Sequence, residues 1–184
     1  ARSLKLDFAA ECLVPALAVL NPENTRGVGL FQTRCGILDA ITHVCERYFT
    51  QTDYVEVSDR LCEGLIQSLI HYGRAVDGRL DDYGVRAEIM WAGCVAHNDL
   101  LSTGRVGDWG SHGIEHEISA IYDVAHGAGL AVVFPSWMRY VRKHDIARFA
   151  QFATRVWDVE PDFNDLERTA LEGIARLESF FRSI

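Results

Sequence analysis

GLFQTRCGILDAITHVCERYF, residues 29–49, is apolar at positions 31, 35, 38, 45 and 49 and again at 37, 41, 44 and 48. Two such rows leave little of a helix's circumference polar, so the stretch is expected to form a helix buried on most sides. A buried helix needs others around it, and the chain supplies them. SDRLCEGLIQSLIHYGRAV (58–76) reads as a second helix, with Ser58 as candidate N-cap, ending at the turn DGRLDDYG. VRAEIMWAGCVAHNDLL (85–101) reads as a third, apolar around nearly its whole girth. After a histidine-bearing segment, SWMRYV, DIARFAQFATRVW and DFNDLERTALEGIARLESFFRSI complete the set. Pro135 and Pro161 are expected to mark breaks, with Asp162 or Asn164 capping the last helix. Only the start differs: LVPALAVLNPENT (13–25) is a short apolar run between Pro15 and Pro22, which predicts a strand or extended segment. The predicted fold class is all-α, a multi-helix domain over residues 25–184 behind a short strand-like leader, residues 1–24.

With 184 residues, 48% of them hydrophobic and 24% charged, the chain has the composition of a globular protein able to bury a core. A formal net charge of −8 repels polyanions, and no Lys/Arg cluster interleaved with aromatics reverses this, so nucleic acid is not an expected partner. The longest apolar runs, such as GAGLAVVFP, are too short to span a bilayer, and ARSLKLDFAAECL lacks a signal-peptide pattern, so no membrane partner is expected and the location is read as cytoplasmic. The five cysteines form no CxxC pair and read as reduced core residues.

Three of the seven histidines fall in SHGIEHEISAIYDVAHGAGLAVVFP, residues 111–135. His112 and His116, four apart, share a helix face and can chelate a metal. His126 lies fourteen residues beyond His112, which on one unbroken helix is ~21 Å. A shared ion, bound at ~2.0–2.1 Å, therefore requires the chain to turn between them, and IYDVAHGAG is where a turn is expected. The first helix adds Asp39 and His43, also four apart, with Gly36 leaving room beside them. A carboxylate and an imidazole facing a core need a partner: either each other or a metal. Asp39, His43, His112 and His126 together offer one oxygen and three nitrogens, a donor set suited to Fe(II) or Zn(II) rather than Mg(II) or Ca(II).

CGILDAITHVCERYF combined with HGIEHEISAIYDVAHGAGLAVVFP resembles the iron-containing alcohol dehydrogenase family, and the preceding DWGSH is similar to its butanol-dehydrogenase-like branch. The resemblance implies an N-terminal α/β domain that binds NAD or NADP and a C-terminal helical domain that holds a divalent metal. Its ligands fall here on Asp39, His43, His112 and His126. His116 matches a further family histidine near the metal and the nicotinamide; it is the implied catalytic residue, as proton relay or as a group orienting a ligand. The implied partners are a small alcohol or aldehyde and the nucleotide-binding domain, with a second copy of the chain as a further candidate. On this reading the leader is the remnant of the missing domain, its last strand surviving in PALAVLNPE, and the helical domain is cut short after Ile184. The family's Pro before QT is replaced within RGVGLFQT by a Gly-rich stretch. The implied chemistry is hydride transfer with the ion polarising the substrate oxygen, and the 184 residues alone are expected to be inactive.

A competing reading takes HGIEH as the inverted zinc-peptidase motif, with His112 and His116 as ligands and Glu115 as general base. It leaves Asp39, His43 and His126 without a role; on the dehydrogenase reading Glu115 instead supports its helix or orients an imidazole. An inert metal-bearing helical module is the third reading. His97 is expected to be hydrogen-bonded within its helix, with a place in the cleft as the alternative, and His71 and His144 to lie at the surface.

Overall fold

A computed structural model of the chain describes residues 4–6 and 8–184. Among them are seven α-helices and no strand: α1 (Leu30–Tyr48), α2 (Glu56–Ala75), α3 (Tyr83–His97), α4 (Gly110–Tyr122), α5 (His126–Val141), α6 (Ile146–Trp157) and α7 (Leu166–Ser183). The quoted stretch is the central helix. α1 packs against α2, α3 and α5, and its Ile37, Ile41, Val44, Cys45 and Tyr48 are closed to solvent. Cys62, Ile66 and Leu69 of α2, Phe134 and Met138 of α5, Phe152 of α6, and Ile174 and Leu177 of α7 continue the same core. Only its first turn departs from the expected burial, with Phe31 exposed. α6 and α7 lie against each other where Gly173 faces Ala153 so closely that a side chain would not fit.

Local expectations fail where tertiary packing overrides a local signal. α2 begins at Glu56 rather than after Ser58; its N-cap is Val55, and Ser58 instead donates to the Thr103 carbonyl. Acidic Glu56 and Asp59 in the first turn favour the helix start in place of a capping side chain. Pro135 does not break the chain: SWMRYV continues α5, with Pro135 buried inside the helix. Phe134, Trp137 and Met138 pack on either side of it, holding the helix together against the missing hydrogen bond. α7 is capped by Asp165, which accepts from the Arg168 amide, while Asp162 accepts from Asn164 and Asp165 just before it. α3 is apolar around its girth as expected, yet Tyr83 and Trp91 face solvent.

The described part of the leader is not a strand. It is exposed, with short 3-10 turns at Glu11–Leu13 and Pro22–Thr25, because a strand exists only against a neighbour and none lies beside it among the described residues. Pro22 is its buried anchor. The entry to α1 is fixed by Arg86, buried on α3, which donates to the Val28 carbonyl and to Thr33 Oγ1. Cys35, Cys45 and Cys62 are buried, and all five cysteines are free thiols. No described helix is long and apolar enough to cross a membrane.

Candidate metal centre

Three helices bring the predicted residues together. Asp39, His43 and Glu46 follow at i, i+4 and i+7 along one face of α1. α4 carries His112 and His116 and ends at Asp123, whose left-handed backbone (φ 54°) turns the chain, so that His126 becomes the first residue of α5. The expected bend is therefore present, but Gly127 and Gly129 do not make it. Both lie inside α5, where a side chain would collide with the Cys35 backbone and with the Glu115 carboxylate respectively. Their smallness lets α5 approach α1 and α4.

Asp39 is the hub of the cluster. Its Oδ1 lies 3.6 Å from His43 Nε2, 3.5 Å from His112 Nε2 and 3.4 Å from His126 Nε2. Four donors at about 2.0–2.1 Å from one tetrahedral ion are separated by edges of about 3.3–3.4 Å, so these spacings suit a shared cation. Asp39 Oδ1 and His112 Nε2 are buried with no hydrogen-bond partner among the described residues. Such orphaned atoms facing each other are costly in a protein interior unless something charged joins them. Among the described residues three groups have donor atoms all within 4.8 Å of one another: Asp39, His112 and His126; Asp39, His43 and His97; and Glu115, His116 and His126. His43 thus leans toward His97, their ring centroids 4.1 Å apart.

Two buried carboxylates stand behind these imidazoles: Glu46, which reading the sequence did not pair with one, and Glu115, for which orienting an imidazole was one expectation. Glu46 contacts His112 Nδ1 and also accepts from Ser111 Oγ and the His112 amide; Glu115 contacts His126 Nδ1 and accepts from Ser119 Oγ. Both are fully buried. An ionised carboxylate only accepts, so in the neutral ring each of these imidazoles carries its proton on Nδ1 and turns the Nε2 lone pair toward Asp39; Lys5 Nζ, a donor, also lies 3.2 Å from His126 Nδ1. His43 differs: Arg47 Nη1, a donor, lies 3.5 Å from its Nδ1. The signal for Glu46 was present in the sequence, as an acidic residue one turn beyond His43 on a helix otherwise buried.

The charges follow from these contacts. Burial alone would raise the Asp39 carboxyl, but the imidazoles of His112, His126 and His97 facing it hold it well below the usual range. Burial together with the neighbouring His97 pushes His43 down to about 3. For His112, burial is outweighed by Asp39 and Glu46, which push it up to about 9. The Asp39 carboxylate likewise raises His97. His116 is half-buried, its ring 5.2 Å from that of His126 and 6.0 Å from that of His112, and burial and the nearby Lys5 lower it.

The peptidase arrangement is not formed. His112 turns its Nε2 to Asp39, whereas His116 groups with Glu115 and His126, so the two histidines of HGIEH do not join in one three-residue group. Glu115 is committed to His126 and Ser119. His71 and His144 are exposed, as expected. His97 does both things considered for it, bonding to the Gly93 carbonyl within α3 and standing 3.4 Å from Asp39 Oδ2.

Residues 33–184 match the model of the Fe-containing alcohol dehydrogenase family, C-terminal. The chain is 38% identical over 180 residues to the probable NADH-dependent butanol dehydrogenase 1 of Bacillus subtilis, covering 98% of this chain and 46% of that protein. It is 32% identical to the NADPH-dependent aldehyde reductase YqhD of Escherichia coli, again over 98% of this chain and 46% of the relative. The crystal structure of NADH-dependent butanol dehydrogenase A from Thermotoga maritima superposes with a TM-score of 0.89 at 35% identity, covering 95% of this chain and 43% of that one. The chain thus spans less than half the length of the relatives it matches. With helices, motifs and relatives in agreement, the chain belongs to the iron-containing alcohol dehydrogenase family, among butanol-dehydrogenase-like members, and carries that family's C-terminal helical domain.

Proposed function

We propose that Asp39, His43, His112 and His126 hold one divalent transition ion, Fe(II) or Zn(II), and that the whole protein is an NAD(P)-dependent alcohol dehydrogenase or aldehyde reductase. The reading assigns residues 25–184 to the metal-binding domain and residues 1–24 to the end of a nucleotide-binding domain and its linker. One observation carries it: a buried, unpartnered carboxylate oxygen with three imidazole Nε2 atoms at 3.4–3.6 Å. A divalent ion bound there supplies Lewis acidity toward a substrate oxygen, the activation that hydride exchange between an alcohol or aldehyde and a nicotinamide uses.

The chain's own residues do the rest. Glu46 and Glu115 fix the protons of His112 and His126 on Nδ1 and so keep both Nε2 atoms available. His116, beside the cluster and lowered below an ordinary histidine, is neutral at pH 7 and takes up or returns the proton exchanged with the alcohol. Asp39 neutralises the cation and limits the positive charge met by substrate. Metal analysis of the purified chain tests the reading: about one ion per chain is expected, lost in a His112→Ala/His126→Ala double variant. A double variant that keeps a full complement of metal would reject it.

A further inference from the structure

We propose that Trp109 is a specificity-determining residue of the metal centre, the apolar wall against which the aliphatic tail of a substrate lies while its oxygen meets the ion. The inference rests on the metal-centre reading. Trp109 is the N-cap of α4, a position that favours Ser, Thr, Asp or Asn, and it makes no capping bond. Asp108 and Glu46 take over that task, accepting from the Gly110 and His112 amides. Nor does the indole fill the core: it is 42% exposed, whereas Trp137 and Trp157 are each 9% exposed. What the ring does meet is the cluster. Its centroid lies 5.3 Å from that of His43 and 5.6 Å from that of His112, with interplanar angles of 68° and 73°.

The indole is also held in place. The Arg47 guanidinium carbon stands 4.7 Å from the ring centroid, a cation–π contact that occupies one face. Arg47 is itself buried and tied at every nitrogen, Nε donating to Ser102 Oγ, Nη1 to the His43 carbonyl and Nη2 to Asp99. The loop leading to the indole is docked on the end of α1. There the Asp108 amide donates to the Glu46 carbonyl at 2.9 Å, and a Cβ on Gly107 would stand 3.1 Å from the same oxygen. A ring fixed in this way loses little freedom when a ligand lies against it. Asp39, Glu46, Arg47, His97, Glu115 and His116, which also surround the proposed ligands, are polar or charged. Apolar contact for a carbon chain is therefore what Trp109 adds to this neighbourhood.

The experiment loads the chain with Co(II) and titrates it with unbranched carboxylates from acetate to hexanoate, read by the visible Co(II) bands. The carboxylate oxygens bind the ion and the tails stand in for the carbons of the substrate. Wild type is expected to bind about two- to fourfold more tightly per added methylene. In Trp109→Ala that increment should fall close to one, while acetate, which has no methylene, changes by less than about threefold. Trp109→Asn supplies the capping side chain that α4 lacks, so it secures the helix start and should lose the increment in the same way. Trp109→Phe keeps an aromatic face and should retain most of it. A purely structural role would shift all the probes alike and leave the increment untouched. Circular dichroism checks folding. An increment preserved in Trp109→Ala or Trp109→Asn, or missing in wild type, overturns the role of Trp109 while leaving the four-ligand centre standing. A wild type that binds no Co(II) overturns both.

Discussion

Asp39 and Glu46 sit on the same face of one helix, two turns apart, and they do different work. Asp39 faces the imidazoles directly, so Asp39→Ala removes both a donor and the compensating negative charge. Equilibrium dialysis of that variant against zinc or iron is expected to find essentially no bound ion, and a tightly metallated Asp39→Ala protein would end the metal-centre reading. Glu46 acts through His112, and Glu46→Gln is expected to lower affinity roughly 10–100-fold without abolishing binding, a difference chelator competition resolves. The pairs Asp39/His43 and His112/His116 could be read in the sequence because helical spacing puts i and i+4 on one face. His126 needed only the inference of a turn. Glu46 and His97 were harder to read because their partners lie on other helices, where no spacing rule reaches.

At the scale of elements, the meeting of α2, α6 and the α3–α4 connection depends on Asp59. This carboxylate is buried, with Arg105 Nη2 2.8 Å and Arg148 Nη2 2.6 Å from Oδ1, and Gln151 Nε2 3.1 Å from Oδ2. Burial opposes its ionisation, but the Arg148 and Arg105 guanidinium groups overcome this and lower its pKa. A depressed folded value means that the stabilisation is present above the unfolded pKa of about 3.9 and is lost as pH falls through the folded one. Asp59→Asn is expected to cost about 3–5 kcal/mol at pH 7, and urea titrations should show its deficit relative to wild type shrinking below about pH 4. A deficit that stays constant down to acid pH would exclude this origin. Close approach of helices gives a second expectation. Gly127→Ala should destabilise by about 1–3 kcal/mol or more and also weaken metal binding, because the added methyl meets the Cys35 carbonyl and pushes the start of α5, with His126, away from α1. Helix identity and order were legible from periodicity. The start of α2, the cap of α7 and the continuity of α5 through Pro135 were not, since packing against neighbours decides them and local signals do not.

Across the whole molecule, the proposed ligands come from α1, α4 and α5, so an ion bound there ties together helices far apart in the chain. Binding to the folded state alone stabilises by about 2.7 kcal/mol at a ligand concentration one hundred times Kd. For a chain of this size that corresponds to a rise in Tm of roughly 5–10 °C, which calorimetry with and without chelator should record for wild type and not for Asp39→Ala. The all-α class was readable because apolar periods of three and four fill most of the sequence. The strand-like leader was not, because alternation and apolarity say nothing about whether a neighbouring strand is present.

The Glu46 carboxylate has a second attachment whose consequence reaches beyond this chain. α4 has no cap bond from its N-cap residue Trp109; Asp108 accepts from the Gly110 amide, and Glu46, from α1, accepts the bonds of Ser111 Oγ and the His112 amide in the same turn while also contacting the His112 ring. The same carboxylate thus caps a helix and meets the ring of a proposed ligand. Anyone transplanting this centre into an unrelated helical scaffold cannot carry the histidine motif over by itself. The graft has to bring the two helices as a docked unit, with the acid on one and the first turn of the other in register, or the imidazole arrives with its proton on the wrong nitrogen.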